Sequence, residues 1–97
     1  MNTDTLWRLQ LWYEKECDGD WEHSYGVRIE TLDNPGWTFA VNLEETALER
    51  KPFDAKTIER TDSDWLHCRV ENSLFRAACG HRNLDEALRI FLDWADS

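Results

Sequence analysis

Apolar residues open the chain at helical spacing. Leu6, Leu9 and Tyr13 recur every three or four positions, and Thr3 or Asp4 stands before them as a cap, so residues 4–16 read as a helix. Trp7, Leu11 and Trp12 widen its apolar face. Asp18-Gly19-Asp20 should stop it, because Gly and Asp favour turns. From Trp21 to Leu32 the period changes to two, with Tyr25, Val27 and Ile29 on one parity. Asp33-Asn34-Pro35-Gly36 follows; Pro presets φ and Gly accepts a positive one, which predicts a type II turn. Trp37, Phe39, Val41 and Leu43 then alternate with Thr38, Ala40 and Asn42, completing an antiparallel hairpin.

Residues 44–54 read as a connection with one apolar pair, Ala47 and Leu48, ending at Pro52-Phe53. A third strand is expected at Lys56–Arg60 and a fourth at Leu66–Val70, separated by the polar turn Thr61-Asp62-Ser63-Asp64. Glu71-Asn72-Ser73 turns the chain into a fifth, Leu74–Cys79, stopped by Gly80. Asn83 caps a final helix and Glu86 stands three residues on, at capping-box spacing. Leu84, Leu88, Phe91, Leu92 and Ala95 form its stripe. The expected fold class is α+β: an antiparallel four- or five-stranded meander sheet with an N-terminal and a C-terminal helix packed on one face.

Composition narrows the function classes. With 97 residues the chain has the size of one domain, residues 1–97. It should bury roughly 60–65% of its unfolded surface, enough for a core without disulfides or metal but with little volume left for a deep cavity. Hydrophobic residues at 41%, together with six Trp, argue against disorder and leave some Trp for a surface patch. Eleven basic against twenty acidic side chains give a formal charge of −9, which repels nucleic acid and anionic lipid and attracts basic partners. Cys17, Cys68 and Cys79 are an odd, irregular set, unlike a disulfide framework. With no apolar run of about 18–20 residues and no secretory signal, a cytoplasmic location is expected.

The densest run of reactive groups is Cys17-Asp18-Gly19-Asp20-Trp21-Glu22-His23. Asp18, Asp20 and Glu22 offer oxygens to calcium or magnesium, and Cys17 and His23 are zinc-type ligands, but the spacing matches neither a calcium loop nor a zinc pair. The two carboxylates Glu22 and Glu30, with His23, could do acid–base work, yet twenty acidic residues guarantee chance pairs. His67 and Cys68, as strand neighbours, point apart; Cys79 and His81 flank Gly80 and could meet. There is no phosphate loop, no serine elbow and no basic stripe. No metal or cofactor and no catalytic residue is therefore expected, and the alternative is a small metal-binding or acid–base enzyme centred on that run.

The aromatic residues point elsewhere. Trp21, Trp37 and Trp65 each fall at a strand entrance near Asp18, Asp20, Glu22, Asp33, Asp62 or Asp64. If those strand ends converge, they form an aromatic patch rimmed with negative charge, in which aromatics supply binding energy and charges steer the partner. The expected partner-binding set is Asp18, Asp20, Trp21, Glu22, His23, Tyr25, Trp37, Asp64 and Trp65.

The run CDGDWEHSYGVRIETLDNPGW (Cys17 to Trp37), then DWLHCRVEN (Asp64 to Asn72) and NLDEALRIFLDWA (Asn83 to Ala95) resemble the bacterial immunity protein 53 family over nearly the whole chain. After Phe75 the family pattern is glycine-rich, whereas this chain has Ala77 and Cys79 around Gly80. The resemblance implies a protein encoded beside a polymorphic toxin, which binds and neutralises the toxin domain. From charge alone the partner would be a basic toxin, such as a nuclease, with no nucleic acid or membrane contact by this chain itself. It would act as a monomer or homodimer.

Overall fold

A computed structural model describes residues 4–97; Thr3, the alternative cap, lies outside them. Asp4 does the capping: its side chain accepts a 3.0 Å hydrogen bond from the Trp7 N–H, and helix α1 runs Thr5–Glu16. One further helical turn follows, α2 at Trp21–Ser24, and only then the first strand, β1 at Val27–Leu32. The chain continues through β2 (Gly36–Asn42), β3 (Lys56–Thr61), β4 (Asp64–Glu71), β5 (Leu74–Cys79) and α3 (Leu84–Asp96).

Three local expectations need correction. Asn83 stands at the N-cap position of α3, but its side chain accepts no helix N–H; its amide donates to Asp64 and Glu86 instead. The strand predicted from Trp21 begins six residues later, because Trp21–Ser24 closes a helical turn in which the Tyr25 N–H donates to the Trp21 carbonyl. The turn before β2 is not type II at Gly36. That glycine pairs with Leu32 inside the ladder and lacks positive φ. Its small size serves another end, since a Cβ there would overlap the Cys79 carbonyl of the adjacent strand. Between β4 and β5, Asn72 and Ser73 both take positive φ (54° and 60°), as a two-residue type I′ hairpin requires.

All strand pairs are antiparallel and the sheet order is β1-β2-β5-β4-β3. The β1–β2 hairpin and the β3-β4-β5 meander thus join through β5, and residues 43–55 carry the chain from the middle of the sheet to its far edge. That connection is tied to the end of α3. Lys51 Nζ donates to the Trp94 and Ser97 carbonyls at 2.7 and 2.6 Å, Trp94 Nε1 donates to the Pro52 carbonyl at 2.8 Å, and Phe53 packs on Phe75 and Trp94. A cation on the last carbonyls is the favourable sign at a helix C-terminus.

Pairing register assigns the faces. Ile29, Phe39, Ala77 and Cys68 share one row, as do Trp37, Cys79 and Leu66. On this side α3 lies over β2 and β5, and α1 packs on α3. Phe91 is fully buried, with ring centroids 5.0 Å from Trp12, 5.1 Å from Phe75 and 5.7 Å from Phe39, all at steep angles. Arg8 ties α1 to α3 through Asp93 and Asp96 at 3.1 and 3.0 Å. Replacing Phe91 by Ala should therefore lower unfolding free energy by about 3–5 kcal/mol, measured by guanidinium denaturation; a loss below about 1 kcal/mol would mean that the cluster repacks around the gap.

Candidate functional site

The acidic run folds onto itself. Asp18 Oδ1 accepts the N–H groups of Asp20 and Trp21, both at 3.0 Å. Glu22 reaches back, its two oxygens accepting the N–H groups of Asp18 at 3.0 Å and Gly19 at 2.9 Å. Gly19, at φ 95°, supplies the left-handed residue that this loop needs. The hydrogen bonds hold both carboxyls below their ordinary values: for Asp18 chiefly the Trp21 and Asp20 amides, for Glu22 its own backbone amide and then those of Asp18 and Gly19. Asp20, by contrast, is exposed and its carboxylate bonds to nothing among the described residues.

Trp21 sits beneath this clasp and belongs to the core. It is 2% exposed, stands edge-on to Trp12 at 5.9 Å and Tyr13 at 6.0 Å, and donates its indole N–H to the Glu44 carbonyl at 2.9 Å. Cys17 Sγ turns to the Tyr13 carbonyl at 3.3 Å. Among the described residues no three His, Cys, Asp or Glu side chains are grouped so as to hold a metal ion.

The structure divides the nine expected contact residues between two ends of the sheet. Asp18 to Tyr25 lie where β1 begins and β2 ends, marked by the Asn42 N–H donating to the Gly26 carbonyl. Trp37, Asp64 and Trp65 lie at the other end, about 20 Å away at strand rise, where Trp37 pairs with Cys79 and Trp65 accepts from the Gly80 N–H. The three Trp-bearing strand ends therefore do not meet. Trp37 faces the helices and donates to the His81 carbonyl at 3.1 Å. Asp64 is held by Arg60 at 2.8 Å and by the Asn83 side-chain amide at 2.9 Å. Trp65 is on the opposite face, its ring 5.2 Å from His67.

That opposite face carries no helix. It forms an open trough of about 1270 Å³, with Thr38, Ala40 and Ala78 among its floor residues and Arg28, Arg69, Arg76 and His67 along it. His23 and Tyr25 reach its rim. Arg28, Ala40, Arg76 and Arg69 are register partners in a single row across four strands. No linear basic stripe exists to reveal this row. The only sequence signal was that each arginine sits on the polar parity of its own strand.

The family model described as immunity protein 53 matches residues 6–96. The chain belongs to the immunity protein 53 family. No curated protein and no solved structure gives a significant match. For a member of an immunity family, the other reactive groups are placed in ways that suit stability. Cys68 and Cys79 are buried, and burial pushes their thiols up to about 12 and about 11. Cys68 faces the core while its neighbour His67 meets Glu59 at 3.1 Å on the trough side. No helix among the described residues is long and apolar enough to cross a membrane.

Two measurements check this description. Because the folded values of Asp18 and Glu22 lie below the unfolded ones, the clasp contributes fully above roughly pH 4–5 and is lost as pH falls through the depressed values. Glu22→Gln should accordingly lower the melting temperature at pH 7, and the gap to the parent should close as pH falls through the depressed Glu22 value; a gap independent of pH would deny the carboxylate its role. Iodoacetamide at pH 8 should add one label to the native protein, at Cys17, and three after unfolding, read by mass spectrometry.

Proposed function

We propose that this chain neutralises a cognate polymorphic toxin domain by binding it in the cytoplasm, rather than by catalysis. The family match over residues 6–96 carries this reading. The arrangement of the acidic run supports it, since Asp18 and Glu22 are spent on the backbone amides of their own loop. A clasped loop presents fixed negative charge at little entropic cost on binding, which suits recognition.

The acidic end is the proposed meeting point with a basic toxin surface: Asp18, Asp20 and Glu22, with His23 and Tyr25 beside them on the trough rim. Trp21 supports this loop from below. Trp65 is on the helix-free face but at the far end, and Trp65, Trp37 and Asp64 would be reached only by a partner that runs the length of the sheet. A basic cleft of the kind that nucleases carry would meet the rim charges by complementarity.

Co-expression with the adjacent toxin domain, followed by calorimetry, tests the reading. Growth rescue with a nanomolar-range complex is the expected result. Rescue without any complex would point instead to an enzyme that reverses the toxin's damage. Within the complex, Asp20→Lys reverses one charge and spares the clasp. It should slow association about three- to tenfold at low salt. An unchanged rate, by stopped-flow fluorescence, would move the contact away from this loop.

A further inference from the structure

The row of arginines has no structural explanation. Arg69 and Arg76 are direct cross-strand partners on two interior strands of the sheet, and like charges directly opposite destabilise a sheet. Arg28 stands in the same row across Ala40. Arg69 shares one carboxylate, Glu71 at 3.3 Å, while Arg28 and Arg76 have no ion pair among the described residues. Glu30 and Glu59 stand on the same face, but neither forms an ion pair with Arg28, Arg69 or Arg76. Glu59 is engaged by His67, and Glu30 lies one row further along β1. A chain of net charge −9 thus sets two arginines without an ion pair among the described residues, Arg28 and Arg76, on the sheet face it leaves without a helix.

The shape favours a polypeptide. At about 1270 Å³ the trough is wider than the usual small-molecule pocket of about 300–1,000 Å³, and it is open. Its floor of Ala40, Ala78 and Thr38 lets another chain come close to the sheet. Guanidinium groups bind carboxylates through paired N–H donors. Nucleic acid fits less well, because a net charge of −9 repels a long phosphate backbone far more than a short segment bearing a few carboxylates.

We propose that the helix-free face is a docking trough for an acidic segment of the toxin domain, with Arg28, Arg69 and Arg76 as its carboxylate-binding row. This rests on the immunity reading above, and adds that the partner brings negative charge to the trough as well as positive charge to the acidic loop. The repulsion between Arg69 and Arg76 is then relieved when the partner's carboxylates arrive.

The test is calorimetry of the adjacent toxin domain with four forms of the full chain: the parent, Arg28→Glu/Arg76→Glu, Arg28→Lys/Arg76→Lys, and Arg50→Glu/Arg82→Glu. The last pair is exposed, lies outside the trough and changes net charge equally. The expected result is an affinity loss of about 10- to 100-fold for the trough reversal, an intermediate loss for the lysine pair, and less than about threefold for the control. Free Arg76→Glu should also melt at a higher temperature than the parent, because a like pair becomes an opposite pair. Parent-strength binding by the trough reversal overturns the proposal and leaves the immunity reading standing. Equal losses in reversal and control overturn it too, reducing the effect to net charge. A parent that binds no toxin removes the immunity reading and this occupant together. Self-association of the parent that the reversal abolishes, seen by light scattering, assigns the trough to a second copy instead.

Discussion

Phe91 sits where α3 meets the two central strands, and its contacts with Phe39 and Phe75 determine which side of the sheet is dry. Once α3 is seated there, α1 has a surface to pack on: Trp12 reaches the same ring, and Arg8 closes on Asp93 and Asp96. The crossover that brings β3 to the far edge is held by the same helix through Lys51 and Trp94. Because side chains on a strand alternate, drying one face leaves Thr38, Ala40, Arg76, Ala78, His67 and Arg69 on the other. The wet trough is a consequence of where the aromatic cluster lies.

Charge is arranged as deliberately as apolar surface. The net −9 suggests uniform repulsion of anions, yet the trough carries the arginine row, and His23 and Tyr25, next in sequence to the acidic loop, reach its rim. A surface of mixed sign orients an incoming partner better than a uniform one, since only one pose satisfies both signs. The clasp between Asp18 and Glu22 keeps the negative element rigid. The pleat keeps the arginines at fixed spacing.

Several groups that look reactive in the one-dimensional chain are occupied in the folded one. The thiol of Cys17 is turned to a backbone carbonyl, Cys68 and Cys79 are buried with raised thiols, and the two carboxylates flanking Gly19 serve their own loop.

Period together with turn and cap residues located α1, α3 and a sheet of four or five strands, with only the start of β1 misplaced, because alternation and the i, i+3, i+4 stripe are local consequences of which face is buried. Asn72-Ser73 and Asp18-Gly19-Asp20 were legible as turns for the same reason: their chemistry acts within a few residues. The Trp21–Ser24 turn was missed because tryptophan suits a strand as well as a helix, and its burial under α1 against Trp12 and Tyr13 outweighed that local preference. Gly36 was legible as a needed glycine, but the need came from a carbonyl 43 positions later, on Cys79. Sequence determined the elements, the acidity and the family likeness. Tertiary structure alone decided that Trp21 is core, that Trp37 and Trp65 face opposite ways, and that Arg28, Arg76 and Arg69 fall in one row. Strand order and register bring together residues tens of positions apart, and no local pattern encodes them.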